Sequence, residues 1–152
     1  MCLLTNSEKL KVAKKPIKCY KIVMRDEVTY RSVIQRSYIP DSVIQGEKNY
    51  IAVGSGIIDT TPEFWYGSSY KKYRLNTGYI HCMSNKEGAL KCCRCYEGEE
   101  INIRLFEVEV PENIEYARGV YGYSLNNHEL NGLNVIAAKE IKFIKEIEWK
   151  KK

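Results

Sequence analysis

The chain has 152 residues, 44% of them hydrophobic and 28% charged, with 10 Gly and 4 Pro, which excludes a wholly disordered or collagen-like chain and fits one domain with its own core. Its formal net charge of +5 includes Lys150, Lys151 and Lys152, a basic tail expected to fray, so the folded body reads as nearly neutral. No apolar run approaches the roughly 18 residues that span a bilayer, and MCLLTNSEKLKVAKK has too short an apolar stretch for a signal peptide, so a soluble cytoplasmic protein without membrane contact is expected.

Residues 1–15 are polar and Lys-rich apart from Cys2, Leu3 and Leu4, and read as a flexible arm that ends at Pro16. A single domain over residues 16–149 follows. Ile17, Cys19, Tyr20, Ile22 and Val23 suit a central strand, and Val28 to Ile34 a second one, paired as a hairpin that turns at Arg25 to Glu27. From Ser37 to Thr77, Pro and Gly punctuate short apolar pieces, which predicts loops and short strands. Gly78 to Cys82 is a strand candidate. Ser84 with Glu87 forms a capping box ahead of a helix over about 85–97, stopped by Gly98.

Ile101 to Val110 alternates apolar and charged residues, with a change of phase between Leu105 and Phe106 that suggests a bulge or a strand covered on both sides. Pro111 ends it, and the Tyr- and Asn-rich stretch from Tyr116 to Asn134 reads as a surface loop or lid. The closing segment VIAAKEIKFIKEIE, residues 135–148, reads as strand from the spacing of Ile141, Phe143 and Ile147. The fold class expected is α+β, with more strand than helix.

His81 in GYIHC is a candidate proton-transfer or binding residue, because imidazole titrates near neutral pH; alternation places Tyr79 and His81 on one strand face. A structural histidine bound to a nearby carbonyl is the bland alternative. Glu107 and Glu109 share a face of FEVEV, as acid, base or ribose ligand, or as a solvated sheet face. The thiols Cys92, Cys93 and Cys95 lack the usual zinc spacing, so no metal is expected, and Cys2, Cys19 and Cys82 likewise read as reduced packing residues. Cys2 would become an N-terminal nucleophile if Met1 were removed, although known enzymes of that kind begin Cys-Gly-Ile. EFWYGSSYKKYR, residues 63–74, interleaves aromatic and basic residues as a weak nucleic-acid signal, or anchors a loop. Twelve Tyr against three Phe suits half-wet contact surfaces.

From Gly78 onward, GYIHC, SNKEGA, LFEVEVP, a Gly-rich loop and VIAAKEIKFIKEI follow one another in an order that resembles small proteins of the ADP-ribosyltransferase-like fold. The whole pattern, with an initial MCL, a Lys-rich arm and a CYK strand, also resembles short bacteriophage and prophage proteins. The resemblance implies a small, twisted, mostly antiparallel split sheet with one or two helices, around a cleft that in active relatives holds NAD. Active relatives carry a His-Gly-Thr or Tyr-Arg-Gly type motif on the first strand, where this chain reads CYKIVMRD. By the resemblance, His81 and Glu109 are the candidate catalytic residues, and Tyr79, His81 and Tyr20 would hold NAD or ADP-ribose.

The expected function is that of a phage-type accessory protein in a bacterial host cell, binding a nucleotide or a host or phage protein, with ADP-ribose transfer as the reaction if it is an enzyme. The alternative is an interaction module, or a structural phage protein, whose contact surface holds Trp65, Tyr66, Tyr121 and Tyr123.

Overall fold

The computed structural model describes residues 3–25, 29–32, 38–64, 71–75, 78–96, 102–121 and 132–150. In chain order the elements are β1 (Leu3–Thr5), β2 (Lys11–Val12), β3 (Ile17–Arg25), β4 (Tyr30–Ser32), β5 (Tyr38–Ile39), α1 (Asp41–Ile44) and β6 (Tyr50–Ile51). There follow β7 (Ile58–Phe64), β8 (Lys71–Leu75), β9 (Ile80–Met83), α2 (Lys86–Cys95), β10 (Asn102–Val110), β11 (Glu115–Tyr121), β12 (Asn134–Ala138) and β13 (Glu140–Ile147). The strands pair antiparallel along the path β6-β13-β10-β3-β9-β12-β11-β1-β8-β7, with β2 on β11, and β4 on β3 and β5. This is a mostly antiparallel sheet with two helices, an α+β arrangement.

The centre is the long ladder of β10 on β3, nine consecutive pairs from Asn102↔Arg25 to Val110↔Ile17. Its middle is buried on both faces, with Lys21, Ile22, Val23 and Met24 of β3 and Leu105 and Phe106 of β10 all covered, while Lys18, Glu107 and Glu109 mark a more open end. Leu105 and Phe106 are consecutive and both buried, which explains the change of phase; the ladder itself shifts register toward β13 between Glu107 and Val108. Phe106 meets Phe143 edge-on, with ring centroids 5.4 Å apart, and Tyr30 at 6.5 Å. The β3–β4 hairpin forms as expected, Val23 opposite Ser32.

Between β3 and β9 only Tyr20↔Met83 pairs among the described residues. The two halves of the sheet diverge there, and α2 packs on β3, β9 and β10. Asn85, not Ser84, caps α2: its side-chain oxygen accepts from Gly88 N at 2.7 Å.

Two expectations change. The arm is built into the sheet from Leu3: Leu3 pairs with Tyr121 and Leu4 with Val120, and Leu3, Leu4 and Thr5 are buried. Farther along, Ala13 exchanges main-chain hydrogen bonds with Asn113 and Ile114, fixing the segment to the β10–β11 turn. The expected loop from Tyr116 begins instead as strand β11, paired to β12 over five residues. The closing segment is strand as expected, in two pieces, β12 and β13, broken at Lys139.

Candidate functional site

The residues picked from sequence are placed mostly inside the fold. His81 is 1% exposed on β9, where all four residues are buried, so both strand faces are covered. Its Nδ1 lies 2.7 Å from the Tyr79 carbonyl. A carbonyl only accepts, so Nδ1 carries the proton and the neutral ring leaves Nε2 in base form. Burial, then the nearby Lys21 ammonium, pushes its pKa down to about 4 against the Tyr79 carbonyl's pull upward, so the ring is neutral at physiological pH.

Tyr79 is also buried. Its hydroxyl donates to Glu115 Oε2 at 2.8 Å, the Lys139 Nζ lies 5.9 Å from its ring centroid, and Gly56 packs so closely that a Cβ there would meet the ring at 2.5 Å. Lys139 Nζ in turn donates to the carbonyls of Ala52 and Gly54. Tyr79 therefore anchors the 52–57 segment and presents no open face for stacking on a nicotinamide.

Tyr20 is half-buried, between Met83 and Glu107 in the register. Glu109 pairs with Lys18 and Lys142, and Glu107 forms an ion pair with Lys18 at 3.5 Å. The register sets Tyr20 beside Glu107, while His81 lies on β9 past the point where that strand leaves β3. Tyr121 is 6% exposed, and burial raises its hydroxyl pKa well above the usual value, with Cys92 and Tyr96 adding to the rise. It is a core residue, not a contact residue. Trp65, Tyr66 and Tyr123 lie outside the described residues.

Sequence reading missed Lys21, which is fully buried; its Nζ donates to the His81 carbonyl at 2.7 Å, just beyond the Tyr20↔Met83 pair. Burial lowers its pKa, while the neighbouring Cys82, Cys19 and Cys92 act in the opposite direction. Cys19 donates to Cys82, whose thiol is held below its ordinary pKa because that bond and the Lys21 charge outweigh burial. Cys19, Cys82, Cys92, Cys93 and Cys95 are free thiols, and no group of metal-ligating side chains occurs among the described residues. The signal for Lys21 was present: a lysine in the middle of a strand that is apolar on both faces.

Two surface clefts lie where β1 and β2 pair alongside β11. One cleft of about 300 Å³ is lined by Thr5, Asn6, Ser7, Lys9, Lys11, Arg118 and Asn134, over a floor of Leu4, Ala117, Gly119 and Val120. A second of about 510 Å³ adjoins it through the shared Lys11 and Arg118, and adds Val12, Lys14, Lys15, Ile17 and Tyr116. No Asp or Glu lines either cleft. The floor exists because Gly119 lets β1 approach: a Cβ there would lie 1.9 Å from the Leu4 carbonyl oxygen. Lys9, Lys11, Lys14 and Lys15 were read as part of the arm, which concealed that they share a wall with Arg118.

His81 and Glu109 line neither of these clefts, nor those at Tyr50–Gly54 and at Ile103–Trp149. No helix among the described residues is long and apolar enough to cross a membrane. No family model matches the chain, and neither does any curated protein or solved structure.

Proposed function

We propose that this chain is a binding module and that its ligand is a phosphate-bearing anion held in the basic cleft over β11. The observation that carries the reading is the segregation of charge. Five cationic side chains, as many as the net charge of the whole chain, line two adjoining clefts that hold no carboxylate. Among the described residues none of the five enters an ion pair, so their charge is available to a ligand. The Thr5 hydroxyl and the amides of Asn6 and Asn134 add neutral donors of the kind that fix phosphate oxygens, while the Ser7 hydroxyl is spent on the Lys9 carbonyl.

A catalytic role through His81 gains nothing from the geometry, since the imidazole is buried and its Nδ1 is spent on a main-chain carbonyl. The nucleotide expectation survives in the ligand class, because NAD and ADP-ribose carry a pyrophosphate. An ADP-ribosyltransferase-like arrangement is proposed on the divergence of β3 and β9 after one pair, and an accessory bacteriophage role on the resemblance of the MCL, CYK and GYIHC segments.

The test is thermal melting with tripolyphosphate, ADP-ribose and NAD. A ligand at 100 times its Kd adds about 2.7 kcal/mol, which for a chain of this size shifts Tm by roughly 5–10 °C. A shift lost in Lys11→Gln, Arg118→Gln supports the cleft; no shift with any of the three counts against it.

A second reading, contact with a host or phage protein, is favoured by exposed apolar side chains along residues 38–57. Ile51 and Ile57 are more than half exposed, Val53 is fully exposed, and Tyr38 is similar. Pull-down from host lysate should then recover a partner that is lost on Val53→Asp; unchanged recovery would remove this surface from consideration.

A further inference from the structure

We infer that the phosphate-bearing ligand of the basic cleft is a single strand of nucleic acid lying along β2 and β11; this rests on the cleft reading above and names its occupant. Lys11 and Arg118 belong to both clefts, so the two adjoin, with Lys9 lining one and Lys14 and Lys15 the other. A groove whose cations are spread along its length suits a ligand with phosphates in series. Lys9, Lys11, Lys14, Lys15 and Arg118 follow one another along the two clefts, and an unstacked strand, with a phosphate on every nucleotide, can meet them in turn. A lone pyrophosphate would engage only part of that row.

The side chains between the cations match the rest of a nucleotide. Tyr116 is half-buried and lines the wider part, with the Arg118 guanidinium over its ring, 5.9 Å from the centroid. A ring and a guanidinium set face to face make a planar platform of the kind that unstacked bases join. Asn6 and Asn134 offer amides, which donate and accept, in the narrower part.

A double helix would present its phosphates on a convex surface to this recessed wall, and its stacked bases could not reach Tyr116. An acidic peptide would meet the lysines but use neither the ring nor the two amides in series. The single strand uses all three kinds of side chain.

The experiment is fluorescence anisotropy with labelled 12-nucleotide single-stranded DNA and RNA, the matching duplex, a polyphosphate of similar length and a poly-glutamate peptide. The expected result is tightest binding to a single strand, with log K falling on log salt with a slope of about −3, as four or five displaced phosphate counterions give. Arg118→Gln should flatten that slope by about 0.7, while Lys145→Gln on the exposed face of β13 leaves it unchanged. Tyr116→Leu should weaken single-strand binding at least about fivefold and leave polyphosphate binding as it was.

Duplex or poly-glutamate binding as tightly as the single strand overturns the inference. Polyphosphate binding with equal affinity and the same response to Tyr116→Leu overturns it too, while leaving the anion cleft standing. Absence of binding to every polyanion overturns both. The wild-type salt slope keeps the test decisive if a variant fails to fold.

Discussion

Lys21 Nζ donates to the main-chain oxygen of His81 at 2.7 Å from a fully buried position, at the place where β3 and β9 part after a single pair. Where the ladder opens, a strand carbonyl loses its neighbouring strand, and a side chain from that neighbour reaches across to it. A buried ammonium is costly and a buried carbonyl without a donor costs about 1–3 kcal/mol, so each group makes the other tolerable.

The first prediction follows from the sign of the Lys21 shift. Its folded pKa lies below 10.5, so between that value and the unfolded value the unfolded chain binds more protons, and stability from this group rises with pH. Cys92 and Cys93, pushed up to about 12 by burial, oppose this above pH 9, but they are common to wild type and Lys21→Met. Urea unfolding of both proteins at pH 8 and pH 10 should show wild type gaining on Lys21→Met as pH rises. A constant difference would mean that Lys21 keeps an ordinary pKa.

His81 works in the opposite pH range. With a folded pKa of about 4 and an unfolded value near 6.5, the unfolded chain takes up the proton first on acidification. Stability contributed by the neutral ring is complete above pH 6.5 and falls by about 3 kcal/mol on going down to pH 4. In His81→Gln that part of the acid destabilisation should vanish, read as a smaller difference in unfolding free energy between pH 7 and pH 4. An equal acid loss in both proteins would place the imidazole in contact with solvent.

Much of the sheet was legible because period and punctuation are local signals. Ile17–Val23, FEVEV and the closing strand segment announce themselves by apolar spacing, and they form β3, β10, β12 and β13. The N-terminal strand did not, since Leu3 and Leu4 are two apolar residues in a polar stretch, and their burial depends on β11 and β8, more than 65 residues away. Strand β11 was concealed by Gly119, which reads as a loop residue and in fact marks close contact between strands. Alternation sets Tyr79 and His81 on one side of an extended segment, but it does not reveal whether that side is covered, and both residues are buried. The same limit hid the cleft: charges at 9, 11, 14 and 15 become a site only when the fold sets Arg118 beside them.

Gly119 supplies the third prediction. A methyl group there would sit 1.9 Å from Leu4 O and 2.7 Å from Leu4 C, main-chain atoms that cannot rotate away. Gly119→Ala must displace β1, exposing Leu3 and Leu4, and should cost at least about 2–3 kcal/mol. Hydrogen exchange should show loss of protection at Leu4 and Val120, with β3 and β10 unaffected at short times. Retained protection across β1 would show that the methyl group is accommodated without parting the strands.

Lys139 carries a local prediction. Its ammonium donates to the carbonyls of Ala52 at 3.1 Å and Gly54 at 2.9 Å and stands near the Tyr79 ring, so one side chain holds the 52–57 segment against the sheet. Lys139→Met keeps the stem and removes the donors, and should cost about 1–2 kcal/mol, as charged hydrogen bonds at a part-buried site do. Exchange should quicken at Ala52, whose amide bonds the Lys139 carbonyl, while β12 keeps its protection. Quickening of β12 as well would mean that the bond supports the sheet itself.

The last prediction concerns the thiols. Cys19, Cys82, Cys92 and Cys93 are at most 1% exposed, whereas Cys95 at the end of α2 is half-buried. The depressed pKa of Cys82 favours its thiolate, yet attack requires a reagent to reach the sulfur, and for a buried group access decides. In a Cys2→Ser background, a bulky thiol reagent on the native protein should modify Cys95 first, with the four buried thiols reacting only as urea unfolds the chain. Peptide mapping by mass spectrometry identifies the order. Early modification of Cys82 would show that the opening between β3 and β9 breathes enough to admit small molecules, and that Lys21 and its thiol neighbours are within reach of chemistry from outside.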